Sequence, residues 1–218
     1  MSNFITLAVD GGAGTGKSTL SRLISSENKF MYVETGSLYR AITFLMLEMK
    51  ISPSDVGSEI SGKELEFTSK IIKSKYYLYV GGRDCSLLDL RTAQINKHVS
   101  DYAALPAVRS FLIEFQRSQV GVAKLNGFKG IIMEGRDIGT KILPDADLKI
   151  FLFADFETRM KRRIKDGELD EIRNRDLKDL QRKTSPLQRA EDALSINTAI
   201  HNQTETFSIV NRELLRLK

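Results

Sequence analysis

A glycine-rich stretch near the N-terminus has the residue types and the spacing of a loop that binds phosphate. Residues 9–22 read VDGGAGTGKSTLSR and contain the pattern Gly-x4-Gly-Lys-Ser. Glycines let backbone amides turn inward around an anion, the lysine reaches the β- and γ-phosphates, and the hydroxyl binds Mg²⁺. Lys17 and Ser18 take these last two roles, so Ser18 is the predicted metal ligand. The predicted nucleotide-binding residues are Gly11, Gly12, Ala13, Gly14, Thr15, Gly16, Lys17, Ser18 and Thr19.

The residues on either side of this loop predict a strand before it and a helix after it. FITLAVD is a short apolar run of the kind found in buried strands, and KSTLSRLISS places Leu20, Leu23 and Ile24 at helical spacing. A helix that begins at the loop directs the positive end of its dipole at the phosphate. The loop therefore has the strand-to-helix context that an ATP- or GTP-binding loop requires.

Four further apolar runs predict the rest of a parallel sheet. The runs at 129–135 and 147–155 lack alternation, as expected of strands that are covered on both faces. The others are KFMYVETG, which begins at Lys29, and the shorter DALSIN at 192–197. Helical patterns separate them, including one at 106–124. We predict an α/β protein of the P-loop NTPase fold, with a five-stranded parallel sheet and helices on both faces.

Two segments interrupt this order within a single predicted domain of residues 1–218. At about 59–91, short alternating runs around Gly81 and Gly82 predict a turn between two strands and therefore a small β-rich insert. At about 158–189, an arginine-rich helical stretch predicts a lid. We expect both segments to act as flaps over one cleft and to exclude water from the reaction.

The composition predicts a globular protein that needs no disulfide. The chain has 218 residues, of which 41% are hydrophobic and 28% are charged, and one cysteine, Cys85. A single cysteine forms no disulfide within the chain, and the segment before the first strand lacks the pattern of a signal peptide. No apolar run approaches the ~18 residues that suggest a membrane-spanning helix. These features predict a cytoplasmic protein with no membrane partner.

The charge distribution separates the candidate partners. A net charge of +5 would suit nucleic acid, but the basic stretch 159–189 mixes cations with acids and has no interleaved aromatic residues. We therefore expect no nucleic-acid partner. A solvated helix face would explain the same composition. However, Arg175, Asp179 and Arg182 follow one another at i, i+4 and i+7, so they share one helix face.

Arginines outnumber catalytic carboxylates among the motif-like positions. A phosphate oxygen is already anionic, so a phosphate acceptor needs no general base, but it needs cations that bring two polyanions together. A guanine-specific switch is not indicated, because NKHV at 96–99 ends in valine where the Asn-Lys-x-Asp signal has aspartate. The arginines at motif-like positions are Arg40, Arg109, Arg136, Arg175 and Arg182.

Seven stretches, in the same order and across almost the whole chain, resemble the bacterial cytidylate kinase family. The glycine-rich loop by itself indicates only a nucleotide site, whereas TGxxYR, GRDxGT and RDxxDxxR together are specific to this family. The seven stretches are DGGAGTGKST at 10–19, ETGSLYRA at 34–41, LRT at 90–92, VSDYAALPAVR at 99–109, EGRDIGT at 134–140, PDADLKIFL at 144–152 and RDLKDLQR at 175–182.

The resemblance implies a kinase that transfers the γ-phosphoryl group of ATP, with Mg²⁺, to CMP or dCMP. It implies catalytic roles for Lys17, Arg136 and Arg182, and it makes the insert the monophosphate-binding segment. Guanidinium groups suit the clamping of phosphates because each donates paired hydrogen bonds. The implied substrate-binding residues are Thr35, Tyr39 and Arg40 for the phosphate of the monophosphate, Ser100, Arg109 and Asp137 for the cytosine edge, Arg175 and Asp179 for the ribose, and Arg136 and Arg182 for the phosphates.

Three positions depart from the family pattern, because Glu34, Thr35 and Glu134 stand where the family has Asp, Ser and Asp. We expect them to change the fine geometry of the site. The position of Asp155 favours a helix N-cap over a metal ligand, since FETRMKRR begins a helix directly after it.

One alternative is a kinase of the same fold that acts on UMP, AMP or dephospho-coenzyme A. Another is a P-loop protein whose ATP site regulates nucleic-acid binding. We expect a monomer.

Overall fold

The computed structural model describes residues 4–56, 66–165, 172–182 and 184–217, and the side chains of 172–175 lie outside this description. The chain divides into two compact units. The first contains residues 1–34 and 120–218, and the second contains residues 35–119. Residues 59–65 of the predicted insert and 166–171 and 183 of the predicted lid fall outside the described residues.

The first unit contains the predicted five-stranded parallel sheet. Its strands run in the order β2-β6-β1-β7-β8, and each neighbouring pair is parallel. All five strand predictions are confirmed, including the shortest at DALSIN. The strands are β1 (Ile5–Gly11), β2 (Phe30–Glu34), β6 (Gly130–Gly135), β7 (Leu148–Phe153) and β8 (Leu194–Asn197).

Successive residues of the central strands point to opposite faces of the sheet, and both sets are buried. Both faces of the sheet are therefore covered. Leu7 and Val9 of β1 pack in one core with residues of the helices at Lys17–Asn28 and Gln203–Arg216, whereas Ala8 and Met133 are buried outside that core. The helices of the first unit are α1 (Lys17–Asn28), α5 (Phe156–Lys165), α6 (Ile172–Gln181) and α7 (Gln203–Arg216).

Helix α5 begins at the cap that the sequence predicts. The Asp155 carboxylate accepts hydrogen bonds from the backbone N–H of Thr158 at 2.8 Å and from its hydroxyl at 2.7 Å. These bonds hold the pKa of Asp155 below its ordinary value. The N-cap interpretation is therefore confirmed. None of the described helices combines the length and the apolar character needed to cross a membrane.

The second unit combines helices with a small antiparallel sheet, which lies within the predicted β-rich insert. Gly81 and Gly82 join β4 to β5, a strand of only two residues. The longer hairpin turns instead at Lys73 and Ser74, both with positive φ, although Lys-Ser is not a typical turn dipeptide. The elements of this unit are α2 (Thr35–Glu48), β3 (Phe67–Ile72), β4 (Lys75–Val80), β5 (Arg83–Asp84), α3 (Ala93–Ala103) and α4 (Pro106–Leu125) as far as residue 119.

Gly130 at the start of β6 allows three strands to approach one another. A Cβ at this position would lie 2.4 Å from the carbonyl oxygen of Ile5 and 2.8 Å from Cε1 of Phe30. We expect Gly130→Ala to lower the free energy of unfolding, measured by urea denaturation, by about 1–3 kcal/mol through overpacking.

The matched control is Gly121→Ala, because Gly121 is exposed within α4 and a Cβ there meets nothing within 4 Å. This variant should gain about 0.5–1 kcal/mol, since alanine has the higher helix propensity. Equal stability of the two variants would contradict the packing argument.

Candidate active site

The phosphate loop (residues 11–18) has the backbone conformation that its glycines predict. Gly14 and Gly16 have φ of 73° and 86°, in the left-handed region that favours glycine. At Gly11 a Cβ would lie 2.3 Å from the carbonyl oxygen of Leu152 on the neighbouring strand. Gly16 precedes α1 and supplies no side chain to cap it, so the first N–H groups of the helix can bind an anion.

Lys17 is the buried cation of this loop. The residue is only 8% exposed, and its ammonium donates a hydrogen bond to the Gly12 carbonyl at 2.7 Å. Burial, together with the nearby guanidinium of Arg136, lowers the pKa of Lys17 to about 7, although Glu134 and Asp10 oppose this shift. The ammonium therefore lacks a full set of counter-charges, which the phosphates of a nucleotide would supply.

Asp10, the residue before the phosphate loop, fixes a second functional segment beside it. Its two carboxylate oxygens accept hydrogen bonds from the backbone N–H groups of Ile138 and Gly139, at 2.8 and 2.7 Å. Burial raises the pKa of Asp10 to about 6, although these two bonds oppose the shift. Asp10 thus ties the stretch that carries Arg136 and Asp137 to the end of β1. Asp10 was not predicted as a functional residue, because its one signal in the sequence is an acid between a strand and the glycines.

Arg136, Asp179 and Arg182 form one ionic cluster in the first unit. Asp179 is buried, and its carboxylate accepts a hydrogen bond from Arg136 Nε at 2.7 Å and another from Arg182 Nη2. Although burial alone would lower the pKa of Arg136, the Asp179 carboxylate raises it. Three of the predicted site residues are therefore in contact. The side chain of Arg175, predicted to share a helix face with Asp179 and Arg182, lies outside the described residues, and α6 ends at Gln181, so Arg182 directly follows the helix.

Arg159 joins the two helices of the predicted lid to the phosphate loop. Its guanidinium pairs with Asp176 of α6, with 2.6 Å between Nη2 and Oδ2, and donates to the Ala13 carbonyl at 3.2 Å. Neither Arg159 nor Asp176 was predicted as a site residue. Both lie in the basic stretch 159–189, where many charged side chains give no local signal that distinguishes one of them.

The two glutamates that depart from the family pattern lie side by side. Glu34 at the end of β2 is in register with Glu134 on β6. The Tyr32 hydroxyl donates a hydrogen bond to Glu134 at 2.5 Å, and the guanidinium of Arg22 lies 3.8 Å from Glu34. Burial and the Glu134 carboxylate raise the pKa of Tyr32 far above its ordinary value. The phenol therefore stays protonated and serves as the donor to Glu134.

In the second unit, Arg40 is a buried arginine held by neighbouring polar groups. Its Nη1 donates to the Leu90 carbonyl at 3.0 Å and to the amide oxygen of Asn96 at 2.6 Å. Leu90 belongs to the LRT stretch, which this bond connects to α2. Asn96 on α3 was not predicted, because no spacing in the sequence relates it to Arg40. Thr35, the first residue of α2, is buried as well.

Arg109 and Tyr39 are brought together in the second unit. The Arg109 guanidinium lies over the Tyr39 ring, 5.3 Å from its centroid, and donates to the Ala103 carbonyl at 3.0 Å. A cation over an aromatic face is attracted by the electrons of the ring. Ser100 is also buried, on the α3 helix that packs against α2. The predicted monophosphate residues of this unit therefore lie on its helices α2, α3 and α4.

The predicted metal ligand, Ser18, is half-buried in the first turn of α1 beside Lys17. Among the described residues no group of three or more His, Cys, Asp or Glu side chains could hold a metal ion. Mg²⁺ bound with a nucleotide takes most of its ligands from phosphate oxygens and water. A single protein hydroxyl at this position fits that mode of binding.

Comparison with known proteins gives a consistent result across nearly the whole chain. The model of a family described as cytidylate kinase matches residues 7–213. A cytidylate kinase of Clostridium botulinum strain Langeland is 38% identical over 206 residues, covering 89% of this chain and 90% of that one. One of Acholeplasma laidlawii is 37% identical over 203 residues, covering 88% and 86%.

A solved structure supports the fold. An unliganded sugar kinase from Janibacter sp. HTCC2649 superposes with a TM-score of 0.51 at 11% identity, covering 97% of this chain and 94% of that one. At this identity the likeness concerns the fold and not the substrate.

Lys17 should make the stability of the unliganded protein depend on pH. The unfolded chain keeps this proton up to about 10.5, whereas the folded protein releases it near 7. Unfolding therefore takes up a proton between these values. The free energy of unfolding rises with pH across this interval, and the gain is lost again as the pH falls from 10.5 to 7. Relative to Lys17→Met, the wild type should gain up to about 1.4 kcal/mol per pH unit between pH 7.5 and 9 in urea denaturation. Parallel profiles for the two proteins would contradict this pKa.

Proposed function

The chain belongs to the cytidylate kinase family, and we propose that it transfers the γ-phosphoryl group of MgATP to CMP or dCMP, giving ADP and CDP or dCDP. One observation carries this proposal beyond the family match. The phosphate loop with Lys17 lies in the same unit as Arg136 and Arg182, which the Asp179 carboxylate holds together. These groups supply three cations for a reaction between two polyanions.

The reaction requires the protein to position the two substrates and to supply positive charge. The acceptor oxygen of a nucleoside monophosphate is already anionic, so no residue has to remove a proton from it. Lys17 is proposed to bind the β- and γ-phosphates, while Arg136 and Arg182 hold the transferring group and the acceptor in line. The negative charge of the phosphates would restore the full positive charge of Lys17, whose pKa is lowered in the unliganded protein.

Mg²⁺ is part of this proposal as a partner of ATP. Ser18 would hold it through the side-chain hydroxyl, next to the loop that binds the phosphates. When bound, the ion neutralises part of the charge on the β- and γ-phosphates. The protein's own contribution is to keep Ser18 and Lys17 adjacent at the start of α1, so that both would contact the phosphate end of the nucleotide.

Recognition of the base is proposed for Ser100, Arg109 and Asp137, the positions at which the family recognises cytosine. Cytosine carries an amino donor where uracil carries a carbonyl acceptor, so a carboxylate such as Asp137 can accept a hydrogen bond from one and not the other. A buried group left without its partner discriminates strongly against the wrong base. Arg175 and Asp179 are proposed to contact the ribose, in line with the family.

The remaining expectations stay predictions. They are a monomeric state, a cytoplasmic location, the absence of a nucleic-acid partner, and the division into one kinase domain with an insert at about 59–91 and a lid at about 158–189. Each follows from composition or resemblance. Arg159 is paired with Asp176, and Arg182 with Asp179, so these cations of the lid segment do not form the unpaired basic stripe that nucleic acid binds.

ADP release measured with a panel of acceptors tests the proposed function. We expect CMP and dCMP to give a kcat/KM at least about tenfold above those for UMP, AMP and dephospho-coenzyme A, through the lost hydrogen bonds of the wrong acceptor. Preference for another acceptor would assign a different kinase of this fold. ATP turnover that responds to nucleic acid but to no monophosphate would support the binding-protein alternative and contradict the kinase.

Substitution of Arg182 distinguishes a catalytic role of this arginine from a merely structural one. If it stabilises the transferring phosphoryl group inside a closed site, Arg182→Ala should lower kcat about a hundredfold, close to 3 kcal/mol. The thermal midpoint should change little, since Asp179 keeps its bond to Arg136. Arg212→Ala, at an exposed position on α7, is the control and should leave both quantities nearly unchanged. A loss of stability with normal turnover would make Arg182 structural.

A further inference from the structure

The outer side of the phosphate loop is held by side chains that no motif identifies. Four consecutive carbonyl groups, those of residues 12–15, accept side-chain hydrogen bonds. The Gly12 carbonyl is bound by Lys17 and Thr15 from within the loop. The three outer bonds join Arg159 Nη1 to the Ala13 carbonyl at 3.2 Å, Arg162 Nη1 to the Gly14 carbonyl at 3.2 Å, and Thr198 Oγ1 to the Thr15 carbonyl at 3.1 Å.

These carbonyl bonds determine where the amide groups of the loop point. A trans peptide is planar, so its C=O and the N–H of the next residue point in opposite directions. Holding the Gly14 carbonyl outward directs the N–H of Thr15 inward, and holding the Thr15 carbonyl outward does the same for Gly16. Gly14 and Gly16 both have positive φ, and glycine restricts its own backbone least of all residues. The orientation of these amides therefore depends on external contacts.

Arg162 and Thr198 form a connected pair that is anchored to the sheet. Arg162 Nη1 donates to the Thr198 hydroxyl at 3.0 Å, and Nη2 donates to its carbonyl at 2.5 Å. The backbone N–H of Thr198 donates to the Phe153 carbonyl at 2.8 Å, at the end of β7. The Thr198 hydroxyl thus accepts from Arg162, and of the two carbonyls within its reach as a donor, that of Thr15 at 3.1 Å is nearer than that of Phe153 at 3.4 Å. With only 6% of Thr198 exposed, water has little access to compete for that bond.

We propose that Arg162 and Thr198 are positioning residues, which hold the amides of Thr15 and Gly16 toward the phosphates of ATP. They act through the loop backbone and need not contact the substrate. This inference rests on the proposed function, because it takes the phosphate loop as the ATP site. It concerns ATP and not the acceptor, so its effect should be selective for one substrate.

Calorimetric titration of ATP and of CMP, each alone, tests this selectivity. Thr198→Val keeps the side-chain shape and removes the hydroxyl, so the Thr15 carbonyl loses its donor. We expect the dissociation constant for ATP to rise about tenfold, equivalent to about 1.4 kcal/mol, and that for CMP to change less than twofold. Thr198→Ser restores the donor and should restore ATP affinity.

Thr206→Val is the matched control, since Thr206 is a buried threonine of the same unit. Its hydroxyl has no hydrogen-bond partner among the residues that the structure describes. This variant should leave ATP affinity unchanged. In addition, Arg162→Met should weaken ATP binding, and the double variant with Thr198→Val should lose less than the product of the two effects, because the two residues share one network.

Two outcomes would overturn the inference. One is unchanged ATP affinity in Thr198→Val, and the other is an equal loss for ATP and CMP, which would indicate a general structural role. Failure of the proposed function is distinguishable, because it appears in the wild type as absent phosphorylation of CMP. The ATP titration of Thr198→Val, its serine rescue and the Thr206 control are interpretable whatever the acceptor proves to be.

Discussion

A loop that presents several amide groups to one anion must find hydrogen-bond donors for the carbonyls on its opposite side, and this requirement organises the first unit. The glycines give the loop its path, but they do not fix it. Lys17 and Thr15 satisfy one carbonyl from within the loop, while α5 and the residue after β8 supply donors for the others. Because these elements lie at the carboxyl ends of adjacent parallel strands, the sheet order itself places the donors where the loop needs them.

The same region concentrates buried charge, which is stable only because opposite charges are paired there. Asp179 pairs with Arg136 and Arg182, and Asp10 is held by two backbone N–H groups. Lys17 is the exception, since burial and the proximity of Arg136 lower its pKa to about 7. An unliganded protein that keeps a charged lysine here gives up stability, whereas binding of a phosphate chain removes that penalty. The energetic cost of burying the Lys17 charge and the affinity of this site for phosphate therefore have one origin.

The sequence predicts what depends on local pattern and misses what depends on contacts between distant residues. The strands, the phosphate loop and the Asp155 cap follow from periodicity, glycine spacing and helix-start signals, all of which act over a few residues. Thr198 lies 183 positions from the carbonyl that it binds, and Asp10 lies 128 from the amide of Ile138, so no spacing rule relates them. The Lys73-Ser74 turn was missed for another reason, because strand pairing imposed positive φ on residues that seldom adopt it.

Glu134 shows how a departure from the family pattern can be accommodated by one neighbouring residue. Tyr32 and Glu34 lie two positions apart on β2 and so share a face, and Glu134 is in register with Glu34 on the adjacent strand. Two carboxylates side by side repel each other, yet Glu134 bonds to the Tyr32 hydroxyl and Glu34 lies near Arg22. An aspartate at position 134, one methylene shorter, would reach less far along the diagonal to Tyr32. The Tyr32 hydroxyl therefore holds the carboxylate of the longer acid, Glu134, in place.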